Sequence, residues 1–103
     1  MFVSGQLGID PATGTLPEGV EAQAAASLSN LEAILEAAGL TMQDVVKTTV
    51  LMADMSDFAR VNAIYAGRFS EPFPARAAFA VKTLPLGALV EIEAVALVPE
   101  GGI

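Results

Sequence analysis

Apolar residues three and four apart run from Val20 to Ala38. Val20, Ala24, Leu28, Leu31, Leu35 and Ala38 share one helical face, and Glu21, Glu32 and Glu36 lie off it. Gly39 follows as a natural helix stop. Before this helix, Met1 to Gln6 reads as a strand, and the Pro, Gly, Thr and Asp of Asp10 to Gly19 read as a turn-rich loop. The β-branched stretch "VVKTTVLM", Val45 to Met52, predicts a strand. Ser56 is the expected cap of a second helix carrying Phe58, Val61, Asn62, Tyr65 and Phe69 on one face, and Pro72 and Pro74 end it. Ala75 to Val81 and Val90 to Val98 read as two further strands, with Leu84-Pro85-Leu86-Gly87 turning between them. The predicted order is β, α, β, α, β, β, a small α/β (α+β) domain. Two helices can cover only one face of its sheet, so the other face calls for self-association.

Composition narrows the functional classes. The 103 residues make one domain, and 53% of them are apolar, more than so small a domain buries easily on its own. No apolar stretch approaches a membrane span of about 20 residues, so no membrane partner is expected. No basic leader precedes the first strand, which gives an expectation of a cytoplasmic protein. Cysteine and histidine are both absent, which removes disulfides, thiolate metal sites, a Cys nucleophile and the commonest general base. The net charge is −7 and the five basic residues are scattered, so no nucleic-acid partner is expected.

Charge matters most where the chain is otherwise apolar. "PFPARAAFAVKTLPLGALVEIEAVAL", residues 72–97, places Arg76, Lys82, Glu91 and Glu93 among alanines and aliphatics. Alternation puts Arg76, Ala78, Ala80 and Lys82 on one side of their strand, and Glu91, Glu93, Val95 and Leu97 on one side of theirs. Paired as a hairpin, the two strands would bring the basic and acidic sets to the same side of the sheet. A cross-strand Arg–Glu pair would then account for them without any function. Alternatively, Arg76, approached through two prolines and flanked by Ala75, Ala77 and Ala78, offers a planar charged fork to the carboxylate or phosphate of a small ligand.

These same residues carry a family resemblance. Pro74-Ala75-Arg76, Phe79, Lys82, Leu84 and Val90-Glu91-Ile92 resemble the C-terminal pattern of the Rid family, the reactive intermediate deaminases of YjgF type. "SGQLGIDPATG", Ser4 to Gly14, is similar to the family's Ser-Gly-Gln strand and loop. The stretch from Gln23 to Phe69 is similar to its first helix, middle strand and second helix, so the resemblance runs from Val3 to Val98.

The resemblance implies a chorismate-mutase-like fold, a mixed sheet with two helices on one face, assembled as a homotrimer around a central barrel with sites in the clefts between subunits. It implies hydrolysis of 2-enamine and 2-imine acids such as 2-aminoacrylate and 2-iminopropanoate to 2-keto acids and ammonium, with no cofactor and no metal. Residue by residue, Arg76 matches the carboxylate-binding arginine and Glu91 the glutamate that orients or activates water. Ser4 and Asn62 match positions lining the substrate pocket. On residue type alone, Ser4 is equally well a strand-end hydroxyl and Asn62 a satisfied buried amide. Tyr65 and Phe69 read as core, and Glu93 and Lys82 as sheet or interface charges.

The sequence also departs from the family pattern. The usual hairpin arm of some twenty residues before Ser-Gly-Gln, with its aromatic, is expected to be missing from this 1–103 domain. The segment from Tyr65 to Arg76 looks shorter than in many members, and Ala78 stands where cysteine is frequent. A non-catalytic, trimeric carboxylate-binding or scaffold protein of the same fold is the alternative reading.

Overall fold

In the computed structural model, which describes residues 1–100, the chain runs β1 (Phe2–Leu7), α1 (Val20–Ala37), β2 (Val45–Met52), α2 (Phe58–Ala66), β3 (Ala75–Ala80) and β4 (Val90–Ala96). The element order is the expected one, with β2 at its predicted bounds. The stripe on α1 is buried from Val20 through Leu35. The helix stops at Gly39, whose φ is +77°. There Gly39 N–H donates to Glu36 O, and Leu40 N–H to Leu35 O at 2.8 Å, the paired bonds that close a helix on a left-handed glycine.

The start of α2 differs from expectation. Ser56 is not its cap. Asp54 accepts from the Ser56 N–H at the head of a single 3-10 turn, Met55–Asp57, and α2 continues from that turn. An acceptor two residues upstream satisfies the free N–H groups equally well.

The larger difference lies in strand pairing. The sheet order is β1-β4-β2-β3, so β3 and β4 are not a hairpin. β3 pairs parallel with β2, Thr48 standing beside Arg76, while β4 runs antiparallel between β1 and β2. The physical reason is legible in the strands themselves. Val90, Ile92, Ala94 and Ala96 are almost fully buried, so β4 suits a central position, whereas the alanine-rich β3 is largely exposed and suits an edge. A parallel neighbour also needs a crossover, and α2 supplies it.

Both helices lie on one face. Leu28, Leu31 and Leu35 of α1 pack over Val50, Met52, Val90 and Ile92 as the core. The register puts Lys47, Thr49, Leu51, Glu91, Glu93 and Val95 on the other face, which no element of the described chain covers. Phe2, partnered with Val95, is 86% exposed there. Polar side chains of α1 anchor β1 and the following loop. Ser27 donates to Gln6 O at 2.6 Å, Asn30 to Leu7 O and Ile9 O, and Gln23 bridges Pro17 O and the Leu89 N–H.

Candidate active site

Arg76 sits near the start of the edge strand β3 and projects toward the helices, since it registers with Thr48, whose side chain is fully buried beneath them. Its Nη1 donates to Asn62 Oδ1 at 2.5 Å. Its guanidinium carbon lies 4.9 Å from the Tyr65 ring centroid and 5.4 Å from that of Phe58. No carboxylate among the described residues forms an ion pair with it; the ion pairs found there belong to Arg60, with Glu21 and Asp57. Beside it opens a cleft of about 360 Å³, walled by Asn62, Tyr65, Ala66, Phe69 and Phe73. A fixed cation in a partly apolar cleft, with donors left over, is suited to the carboxylate of a small ligand.

Glu91 lies on the opposite face. It is half-buried between Leu7 and Leu51, its register partners. Its carboxylate rests against the backbone of Gly5, where an added Cβ would come within 2.3 Å of Oε2. That approach is possible because β1 carries one extra residue between Val3 and Gln6, which pair with Ala94 and Ile92. Such a bulge re-aims the chain at one point of a strand. Ser4, in the bulge, is exposed and lines a hollow of about 290 Å³ with Phe2, Lys47, Thr49 and Glu93. A larger hollow, about 420 Å³, lies between the Asp10–Pro17 loop and α1 and contains none of these residues. Among the described residues, no group of three or more carboxylates gathers as metal ligands would.

Comparison with known proteins agrees with this architecture. The family described as Endoribonuclease L-PSP matches residues 1–98. The chain belongs to this family, the Rid proteins. It is 58% identical over 97 residues to the RutC family protein y4sK of Sinorhizobium fredii, covering 92% of this chain and 76% of that one. It is 52% identical over 98 residues to the 2-iminobutanoate/2-iminopropanoate deaminase of Bos taurus, covering 94% and 72%. The crystal structure of RidA from a Psychrobacter species superposes with a TM-score of 0.90 at 50% identity, covering 92% of this chain and 77% of that one.

In this Rid chain the four matched positions fall into two pairs. Arg76 and Asn62 meet on the helix side at the β3 edge. Ser4 and Glu91 lie on the uncovered face along β1 and β4. Arg76 and Glu91 are two strands apart and, since Arg76 is level with Thr48 and Glu91 with Leu51, also offset along the strands, about 14 Å in all, and they point to opposite sides. The cross-strand Arg–Glu pair that a hairpin would have made is therefore excluded within one chain. Three residues that bear on the site were read differently in the sequence: Tyr65, and with it Phe58, as part of an apolar helix face, and Gly5 only as part of the Ser-Gly-Gln strand. The signal for the first two was present, since Phe58, Asn62 and Tyr65 stand at i, i+4 and i+7 of one helix, above a strand that carries an arginine.

Proposed function

We propose that this Rid protein hydrolyses 2-imino acids, and the 2-enamine acids that tautomerise to them, to 2-keto acids and ammonium. The observation that carries the reading is Arg76, held by Asn62 and two rings yet free of any carboxylate partner among the described residues. The cattle relative, named 2-iminobutanoate/2-iminopropanoate deaminase, supports the same chemistry at 52% identity.

The substrate carboxylate takes the remaining Arg76 donors. Glu91 accepts a proton from water as the water oxygen bonds to the imine carbon, and the C=N π electrons move to nitrogen, which takes that proton back from Glu91. Collapse of the resulting carbinolamine expels ammonia and leaves the C=O of the keto acid; ammonia then takes up a proton from solution. An imine carbon is already electrophilic, so positioning and one acid–base group suffice. Ser4, next in the chain to the Gly5 backbone on which the Glu91 carboxylate rests, is the pocket-lining hydroxyl in this reading.

Because Arg76 and Glu91 face opposite ways within a chain, the reading joins Arg76 of one copy to Glu91 of the next, in a homotrimer whose uncovered sheet faces enclose a barrel. Phe2 and Phe79, 86% and 46% exposed, support burial of that face between copies. Light scattering should give three times the 10.6 kDa chain mass; a monomer at micromolar concentration removes the intersubunit site.

The direct test is decay of freshly generated 2-iminopropanoate with and without the purified protein. Accelerated release of pyruvate and ammonium is expected. Pyruvate binding without turnover would instead identify a carboxylate-binding scaffold.

A further inference from the structure

We infer that Tyr65 and Phe58 are positioning residues for Arg76, fixing its guanidinium before any ligand arrives. The inference rests on the reading of Arg76 as the carboxylate-binding group and goes beyond it by assigning what orients that group.

Four observations converge on Tyr65. It is 7% exposed. Its hydroxyl lies 2.7 Å from Thr48 Oγ1, a fully buried pair on the helix side of β2. Its ring meets Phe69 at 4.6 Å between centroids, tilted 36°. The Arg76 guanidinium carbon sits 4.9 Å from the ring's centroid. The ring is therefore held at its hydroxyl end and along one side while it presents π density to the cation. Thr48 is also the register neighbour of Arg76 across β2 and β3, so the tether and the arginine start from the same level of the sheet.

Phe58 adds a second π contact at 5.4 Å, and Asn62 accepts one of the five guanidinium N–H bonds. The three side chains occupy one stripe of α2, so a single helix holds the guanidinium from three positions. A free surface arginine would have to lose much of its rotamer freedom on binding a ligand, whereas one already gripped has less to lose. Neither ring carries a charge that would compete with an incoming carboxylate. Asn62 on this account contacts Arg76 rather than serving only as a wall of the pocket.

The test separates a π-face role from general packing. Pyruvate is titrated calorimetrically into the wild type, Tyr65→Phe and Tyr65→Leu, with thermal melts of each. Both substitutions leave the Thr48 hydroxyl without its partner, so both should lower the melting temperature. Only Tyr65→Leu removes the ring, so it should weaken pyruvate binding by roughly 10-fold, the upper part of the cation–π range. Tyr65→Phe should stay within about 3-fold of the wild type. Should Tyr65→Leu fail to fold, the half-buried Phe58 carries the same contrast: Phe58→Leu should weaken binding and Phe58→Tyr should retain it. In imine hydrolysis the losses should appear in KM more than in kcat. Equal affinity for the Phe and Leu variants overturns the inference while leaving the deaminase reading intact. A wild type that binds neither pyruvate nor 2-oxobutanoate overturns the reading itself, and the inference with it.

Discussion

Gly5→Ala moves Glu91 without removing its carboxylate. The backbone at Gly5 has no positive φ, so alanine is conformationally allowed there. The added methyl, however, would stand 2.3 Å from Glu91 Oε2, 2.7 Å from Cδ and 3.0 Å from Cγ. Ordinary contact begins near 3.4 Å, so the carboxylate must retreat by about 1 Å or adopt another rotamer. The three nearest atoms all belong to one flexible, half-buried side chain, so the cost in stability should stay below about 1 kcal/mol. A misplacement of about 1 Å at a reacting group, by contrast, costs on the order of 100-fold in rate. The assay pairs a thermal melt with kcat/KM on 2-iminopropanoate. A near-native melt with a rate lowered about 100-fold is expected. A Gly5→Ala protein that deaminates at the wild-type rate would show that Glu91 need not lie where the structure puts it, and the reasoning about the bulge would fail.

Gly8→Ala is the contrasting case, because its methyl would meet the α1 backbone, 2.5 Å from Gln23 O and 3.0 Å from Gln23 Cα. Backbone cannot rotate away, so a loss of roughly 1–3 kcal/mol in chemical denaturation is expected; an unchanged midpoint would contradict the close packing of β1's exit on α1. Arg76→Lys keeps the charge but loses the fork, its Asn62 bond geometry and its stacking, so pyruvate binding by calorimetry should weaken by about 1.5–3 kcal/mol; unchanged affinity would leave Arg76 without a ligand role. The Asp54 carboxyl is held below its usual value, chiefly by the Ser56 backbone N–H and then by the Ser56 hydroxyl. With the folded value depressed, its stabilising contribution is present above the ordinary aspartate range and is lost as pH falls through the lowered value. An NMR titration should therefore show Asp54 changing at lower pH than an unstructured aspartate, and a normal midpoint would remove the capping account of the α2 start.

Local pattern made the elements legible, and long-range pairing was what it could not reach. The α1 stripe, the Gly39 stop and the β-branched run of β2 each follow from neighbours a few residues apart, and each was readable from the sequence. Whether β4 pairs with β3 or slips between β1 and β2 depends on partners about forty to ninety residues away in the chain. The decisive clue was burial. β4 alternates near-zero exposure at Val90, Ile92, Ala94 and Ala96 with Glu91 and Glu93, while β3 is alanine-rich and open. Alternation correctly grouped Glu91 with Glu93 and Arg76 with Ala78, yet the pairing error put both groups on one side of the sheet. Resemblance named Arg76, Glu91, Ser4 and Asn62, and only the three-dimensional arrangement divided them between two faces. Tyr65 was legible as an apolar helix position but not as the support of an arginine, because its contact depends on a crossover that the sequence pattern leaves undetermined.

That division makes subunit complementation the most direct measurement of the central claim. Arg76→Ala and Glu91→Gln chains, each expected to be nearly inactive alone, are co-expressed in equal amounts and purified together. If every site joins Arg76 of one copy to Glu91 of the next, random assembly restores both wild-type residues to about a quarter of the interfaces of a ring, and 2-iminopropanoate hydrolysis should recover to about a quarter of the wild-type rate. A mixed protein that assembles but stays as inactive as its components, while the wild type is active, would contradict a site shared between copies.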